Sequence, residues 1–261
     1  MKILVTNDDG IFADGLRALV EELRKIGRVT VVAPDREQSA VGTAVTLWQP
    51  LRTRKLAPMA PEVETYSVDG TPSDSVILGL AKLTENGIDM VISGINQGHN
   101  LGDDVHISGT VSAALQGYLH GYPSIAVSTA RENTRHLEAA AKVAAFVAQK
   151  IASDSLPSNI FLNVNLPNLP LADIERAQIT LLAAESHINT VEERHDDQGK
   201  YFQLVRQSLN KTAGENTDIR AMEQGNISIT PLATSLACGP TSPALDNLCA
   251  DLSRTLPVGK R

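Results

Sequence analysis

The chain has 261 residues, with 23 Lys and Arg against 30 Asp and Glu, which gives a formal net charge of −7 at pH 7. A hydrophobic content of 42% is enough to build a core and excludes disorder of the whole chain. The acidic balance and an aromatic content of 3% argue against a nucleic-acid partner, which needs a basic face or a stacking platform.

The N-terminal apolar run, from Met1 to Thr6, is too short for a signal peptide or a membrane span. We therefore expect a cytoplasmic protein with no membrane partner.

The first part of the chain alternates short apolar strands with helices. Strands are predicted at 3–6, 29–33, 66–68, 90–93, 124–128 and 160–164. Helices are predicted at 15–26, 72–83, 108–120 and 139–151. This alternation predicts the α/β class, with a Rossmann-like, doubly wound and mostly parallel sheet. We assign it to a catalytic domain at residues 1–180.

The second part of the chain has a different character. Two apolar segments flank the turn residues 196–199 and predict a long β-hairpin over 184–207 that projects from the body. A short helix and a strand at 227–230 follow. We therefore separate residues 181–261 as a C-terminal hairpin and tail. Residues 48–63 carry three Pro and predict an irregular or hairpin excursion.

Polar clusters follow three of the predicted strands at their carboxyl ends, at residues 7–10, 35–39 and 94–100. In open α/β sheets, the loops beyond the carboxyl ends of the strands form the ligand crevice. We therefore expect these three clusters to converge on one site.

The first cluster contains two adjacent carboxylates, Asp8 and Asp9, in a turn with Gly10. Because adjacent carboxylates repel each other, a nearby cation is the natural way to keep both ionised. A solvated turn in which an Asp caps a helix explains the pair equally well.

Ser39 and Asn96 would add neutral oxygens to such a site. Carboxylate, amide and hydroxyl ligands together suit Mg²⁺, Mn²⁺ or Ca²⁺, whereas the sequence has no Cys or His cluster with zinc spacing. Taken singly, Ser39 is typical of a turn serine and Asn96 of a left-handed turn residue.

The run Ser108-Gly109-Thr110 opens a predicted helix. Unpaired backbone N–H groups and the positive end of the helix dipole favour a phosphate there, although Ser and Thr are also common helix caps. His99 is a weaker candidate for a substrate contact. The sequence lacks both GxGxxG after the first strand and GxxxxGK[ST], which argues against a dinucleotide cofactor and a P-loop NTPase.

Six segments resemble, in order, the motifs of the SurE family of stationary-phase survival proteins. They lie at 3–11, 33–39, 70–74, 93–100, 108–111 and 225–232. The resemblance covers most of the chain and implies a divalent-metal-dependent phosphatase of the 5′-nucleotidase type. Such an enzyme hydrolyses nucleoside 5′- and 3′-monophosphates to nucleoside and phosphate, with some exopolyphosphatase activity.

The resemblance also implies roles for individual residues. The positions that bind one divalent metal ion, Mg²⁺ or Mn²⁺, are matched by Asp8, Asp9, Ser39 and Asn96. The positions that hold the phosphate are matched by Asn100, Ser108, Gly109 and Thr110. Two departures from the family pattern are Ala40, where Gly is usual, and Ile107, where an aromatic residue is usual.

The family's quaternary structure implies a homodimer or homotetramer. In that arrangement the projecting hairpin and an exchanged C-terminal segment, both within residues 181–261, form the oligomerisation region.

We expect Asp8 and Asp9 to be the catalytic residues, with Asp9 orienting or deprotonating the attacking water. A covalent aspartyl intermediate is the rival mechanism. Two other functions remain open at this point: a non-catalytic module that senses nucleotide or phosphate through the same crevice, and a sugar-nucleotide transferase on a similar fold.

Overall fold

The computed structural model describes residues 1–84, 87–131, 136–184, 188–206, 214–235 and 247. The helices in these parts of the chain are α1 (Asp14–Leu23), α2 (Pro72–Leu78), α3 (Gly109–Leu119), α4 (Leu137–Ala152) and α5 (Asp218–Glu223). The strands of the main sheet are β1 (Lys2–Thr6), β2 (Arg28–Pro34), β3 (Thr53–Lys55), β4 (Glu64–Val68), β5 (Met90–Gln97), β6 (Ser124–Thr129), β7 (Phe161–Leu166), β8 (Ala177–Ile179) and β11 (Ile227–Pro231). A separate pair consists of β9 (Ile188–Asp196) and β10 (Gly199–Arg206).

The strand order in the main sheet is β3-β4-β2-β1-β5-β6-β7-β11-β8. The six strands from β4 to β7 are parallel. At the two ends, β3 is antiparallel to β4, and β11 is antiparallel to β7. The predicted Rossmann-like, mostly parallel α/β sheet is therefore confirmed.

Helices cover both faces of the sheet, and β1 shows how the sequence produces this. Its alternate side chains Ile3 and Val5 pack into the core that α1 and α4 share. Leu4, between them, packs into a second core with Val76 of α2 and Ala113 of α3. Because both faces of the strand are buried, its sequence is a continuous apolar run rather than an alternating one.

The order of the strands places a topological switch point next to β1. From β1 the chain proceeds through β2 to β4 on one side of the sheet, and later through β5, β6 and β7 on the other. The loops that leave the carboxyl ends of β1 and β5 therefore diverge, and the gap between them is where α/β folds of this kind bind ligands.

Strand β5 is longer than predicted. It runs four residues beyond Ser93, with a shift of register against β6 between Ser93 and Asn96. At this shift Gly94 has φ +137°, and a Cβ there would lie 2.4 Å from the carbonyl oxygen of Val127. Glycine thus allows the close approach of the two strands. Asn96 consequently lies at the end of a strand and not in a left-handed turn.

The predicted hairpin is confirmed, since β9 and β10 pair in antiparallel fashion around the turn at 197–198. The helix predicted at 72–83 is α2, continued by a π-helical turn at Gly79–Leu83. The excursion at 48–63 contains the edge strand β3.

The assignment of residues 181–261 to oligomerisation stays a prediction. Within that range, β11 belongs to the main sheet, where it pairs with β7 and β8. The predicted C-terminal tail includes residues 236–261, which lie outside the described residues except for Asn247.

In the described part of the chain, no helix combines the length and apolar character that crossing a membrane requires.

Candidate active site

A cavity of about 590 Å³ opens at the carboxyl edge of the sheet, between the loops that follow β1, β2, β5 and β6. The four predicted metal ligands all line it: Asp8, Asp9, Ser39 and Asn96. Two of the predicted phosphate residues line it as well: Asn100 and Ser108. The sheet therefore brings together side chains from segments that are far apart in the sequence.

Asp8 is a deeply buried carboxylate of the cavity, with 4% of its surface exposed. Its Oδ1 accepts a hydrogen bond from the hydroxyl of Thr110, 102 residues away. Burial raises the pKa of Asp8, the hydrogen bond from Thr110 lowers it, and the neighbouring charge of Asp9 raises it, so that the net pKa is about 7. Asp8 therefore needs positive charge nearby to be fully ionised at neutral pH.

The first residues of α3 pack directly against Asp8. A Cβ at Gly109 would lie 2.8 Å from the Cβ of Asp8 and 3.0 Å from its Oδ2, so a residue without a side chain is required there. The amino end of a helix also favours a nearby negative charge. Gly109 and Thr110 thus support the carboxylate of Asp8, and their predicted role toward a phosphate stays a prediction.

Asp9 also lines the cavity and is half-buried, so it is more exposed than Asp8. Its Oδ2 accepts a hydrogen bond of 3.2 Å from the backbone N–H of Gln97. Burial raises the pKa of Asp9, the charge of Glu37 raises it further, and the charge of Arg131 lowers it. Glu37 and Arg131 therefore belong to the electrostatics of the site.

Sequence reasoning missed Arg131, which lines the cavity just after the end of β6. The pattern that located the other loops, a polar or charged residue just beyond the carboxyl end of a parallel strand, also applies to Arg131.

Ser39 and Asn96 use their donor groups within the protein and present their oxygens. The Ser39 hydroxyl donates to Oε1 of Glu37 at 2.6 Å, and the Asn96 Nδ2 donates to the carbonyl of Gly98 at 2.7 Å. Lone pairs on Ser39 Oγ and the amide oxygen of Asn96 are then the groups suited to a cation. Among the described residues, no metal site is formed by three or more His, Cys, Asp or Glu side chains, so a cation in this cavity would also need the neutral oxygens.

The chemistry of this donor set therefore fits a hard divalent cation. Two carboxylates with a hydroxyl and an amide oxygen are the ligand types that Mg²⁺ and Mn²⁺ take. The pKa values of both aspartates are raised, which means that the protein alone does not fully stabilise their negative charges.

Asn100 and Ser108, which are predicted to hold the phosphate, are each fixed by a hydrogen bond. The Nδ2 of Asn100 donates to the hydroxyl of Ser128 at 2.8 Å. The hydroxyl of Ser108 caps α3 by accepting from the backbone N–H of Val111 at 3.1 Å. Next to them, the ring of His99 also lines the cavity, with Nε2 2.8 Å from the carbonyl oxygen of Leu166.

Both residues that depart from the family pattern line the same cavity: Ala40 and Ile107. Ala40 has φ +57°, in the left-handed region that glycine adopts without steric cost. The backbone conformation thus explains why glycine is usual at this position, and Ala40 adopts it with steric strain.

The sequence profile described as "Survival protein SurE" matches residues 3–189. The chain belongs to the SurE family. The predicted family membership is confirmed, and the match includes the loops after β1, β2, β5 and β6 that form the cavity.

Proteins named 5′-nucleotidase SurE are similar over most of their length. The one from Dehalococcoides mccartyi (strain CBDB1) is 54% identical, covering 89% of this chain and 88% of its own. The one from Vibrio parahaemolyticus is 42% identical, covering 95% of this chain and 94% of its own. The predicted enzyme type, a 5′-nucleotidase, agrees with these names.

The fold comparison gives the same family. The crystal structure of the SurE protein from Aquifex aeolicus superposes with a TM-score of 0.82 at 38% identity. The match covers 95% of this chain and 99% of the other. The whole architecture, and not only the parallel sheet, is therefore shared with another SurE protein.

Replacing Asp8 by Asn is expected to remove a pH dependence from the stability of the metal-free protein. The folded pKa near 7 exceeds the ordinary 3.8, so the folded state retains a proton that the unfolded state releases. The contribution of Asp8 to stability is then fully present below pH 4 and is lost as pH rises through 7, by on the order of 1.4 kcal/mol per unit of pKa difference.

Urea unfolding in EDTA between pH 4.5 and 8 measures this effect. The wild-type curve should fall relative to that of Asp8→Asn, whereas Asp197→Asn, an exposed site in the hairpin turn, should follow the wild type. Parallel curves for wild type and Asp8→Asn would contradict the assignment.

Replacing Ala40 by Gly is expected to stabilise the protein by about 1 kcal/mol, because it relieves a left-handed backbone strain. The matched control is Ala18→Gly inside α1, where the same change should destabilise by about 1 kcal/mol. Chemical denaturation of both variants measures the two effects. A loss of stability at both positions would show that Ala40 is unstrained.

Proposed function

We propose that this SurE protein hydrolyses nucleoside monophosphates to nucleoside and phosphate. The observation that carries the proposal is a single cavity in which Asp8 and Asp9 lie together with the oxygens of Ser39 and Asn96. The relatives named 5′-nucleotidase SurE support the reaction and the substrate class.

One divalent cation, Mg²⁺ or Mn²⁺, is proposed at Asp8, Asp9, Ser39 and Asn96. When bound, it would polarise a phosphoryl oxygen as a Lewis acid and lower the pKa of a water molecule. The proposal is supported by the under-compensated charge of the two aspartates and by the two neutral oxygens whose donor groups are already engaged.

The two aspartates are suited to different tasks. Asp8 is almost fully buried and held by Thr110, so its role is to fix the cation in place. Asp9 is half-buried and more exposed than Asp8, which suits it to orient or deprotonate the attacking water. Both aspartates are therefore proposed as catalytic residues, and Asp9 is the one that accepts the proton of the attacking water.

The phosphate must enter a cavity whose wall also carries the charge of Glu37. Among the described residues that line the cavity, Arg131 is the only Arg or Lys. We assign it to the phosphate, together with the amide of Asn100 and the amino end of α3 at Ser108. These groups would hold the phosphate by charge and position, which is most of what phosphoryl transfer requires.

The hairpin supports the proposed homodimer or homotetramer. Three of its apolar side chains are more than half exposed: Val191 at 59%, Phe202 at 64% and Leu204 at 70%. Apolar side chains grouped on a projecting ribbon are typical of a surface that another chain covers.

Release of phosphate from AMP is expected with Mn²⁺ or Mg²⁺ and should stop when EDTA is added. Asp8→Asn and Asp9→Asn should each lower kcat/KM by about 100-fold or more, as losses of electrostatic stabilisation do. Asp197→Asn serves as the control. Tight nucleotide binding without turnover would favour the sensing module, and a requirement for a sugar donor would favour the transferase.

Replacing Arg131 by Ala is expected to raise KM for AMP by about tenfold, which corresponds to ~1.4 kcal/mol. The loss is a phosphate contact, so the affinity for Mn²⁺, measured by titration calorimetry, should stay within about twofold. Arg131→Lys should recover part of the effect, because it keeps the charge but not the fork geometry. Arg24→Ala, which removes an exposed arginine after α1, is the control. An unchanged KM in Arg131→Ala would remove Arg131 from the site.

A further inference from the structure

Two buried asparagines of β7 hold the backbone of Asn100. The Oδ1 of Asn165 accepts from the N–H of Asn100 at 2.9 Å, and its Nδ2 donates to the carbonyl of the same residue at 3.0 Å. The Nδ2 of Asn163 donates to that carbonyl at 2.8 Å. One side-chain amide thus pairs with both backbone groups of one residue, as a neighbouring strand would.

The geometry of β7 explains why both amides reach the same residue. Asn163 and Asn165 are two positions apart, so their side chains lie on the same face of the strand. Val164, between them, faces the opposite side and packs in the main core with α1 and α4. All three residues are fully buried. The two faces of β7 can therefore be altered independently.

Burying amides in this place has a cost that only their hydrogen bonds offset. Without them, the N–H and carbonyl of Asn100 would be left unpaired in a buried segment, since Asn100 itself is only 6% exposed. The segment would then shift to find other partners. The amides consequently determine where the backbone of Asn100 lies.

Asn100 connects this arrangement to the cavity. Its side chain lines the cavity and is oriented by the hydroxyl of Ser128 on the neighbouring strand β6. A reacting group displaced by about 1 Å can cost two orders of magnitude in rate. The position of the Asn100 backbone is therefore expected to determine how well the site holds a phosphate.

We propose that Asn165 and Asn163 are positioning residues for the phosphate, acting through the backbone of Asn100. This inference rests on the proposed function, in which Asn100 contacts the phosphate. Neither asparagine lines the cavity with the two aspartates. Their loss should therefore weaken phosphate binding and leave the binding of the cation unchanged.

The test compares Asn165→Leu and Asn165→Asp with Val164→Ala. Asn165→Leu removes both hydrogen bonds at similar size, while Asn165→Asp in its ionised form can still accept from the N–H of Asn100 but cannot donate to its carbonyl. Val164→Ala lowers the stability of the same strand from its other face.

For each protein we would measure KM for AMP, inhibition by inorganic phosphate, and Mn²⁺ affinity by titration calorimetry. The expected result is a rise of about tenfold in KM and in the inhibition constant of phosphate for both Asn165 variants, with Mn²⁺ affinity within about twofold. Val164→Ala should lower Tm without changing KM. Equal changes in KM for Val164→Ala, or none in the Asn165 variants, would overturn the inference.

Hydrogen exchange gives a readout that does not depend on activity. The peptide that contains residues 98–102 should lose protection from hydrogen exchange in Asn165→Asp and keep it in Val164→Ala. Asn165→Asp also provides the test if Asn165→Leu does not fold. Unchanged protection in Asn165→Asp would refute the inference on its own. A wild-type protein that neither hydrolyses AMP nor binds phosphate would instead refute the proposed function, and the inference with it.

Discussion

The structure of the site depends on one constraint, which is that the sheet places the carboxylate of Asp8 in the protein interior. Water no longer solvates this charge, and the protein compensates with the hydroxyl of Thr110 and the amino end of α3. The pKa of Asp8 remains raised in spite of these contacts. The cation proposed for this site would offset an electrostatic cost that folding has created.

The neighbouring loops are arranged around this buried charge by contacts of the same kind. Gly109 lets α3 approach Asp8, and Asn165 pairs with the backbone of Asn100. In a third contact, the buried carboxylate of Asp218 accepts from the backbone N–H of Gly102 at 2.7 Å and from that of Ala183 at 3.0 Å. The loops that follow β1 and β5 are thus held by partners from later parts of the chain.

Residues at the mouth of the cavity distinguish this chain from the family pattern. Ala40 keeps the left-handed backbone of the usual glycine, and Ile107 presents an aliphatic surface where an aromatic ring is usual. Glu37 adds a negative charge beside Asp9, and Arg131 opposes it. Ala40 and Ile107 line the cavity with apolar side chains and affect its shape, whereas Glu37 and Arg131 also act on the charge of Asp9.

The sequence by itself determined the class of fold, since continuous apolar strands alternating with helices leave few arrangements other than a covered parallel sheet. It also located the loops of the site and the residue types that bind cations, because these depend on short local patterns. The longer β5, the addition of β11 to the main sheet, the contact of Thr110 with Asp8, and the pairing of Asn165 with Asn100 were decided only by the tertiary structure. The physical reason is that these features are pairings between residues tens of positions apart, which depend on strand register and loop path and leave no periodic signal in the chain.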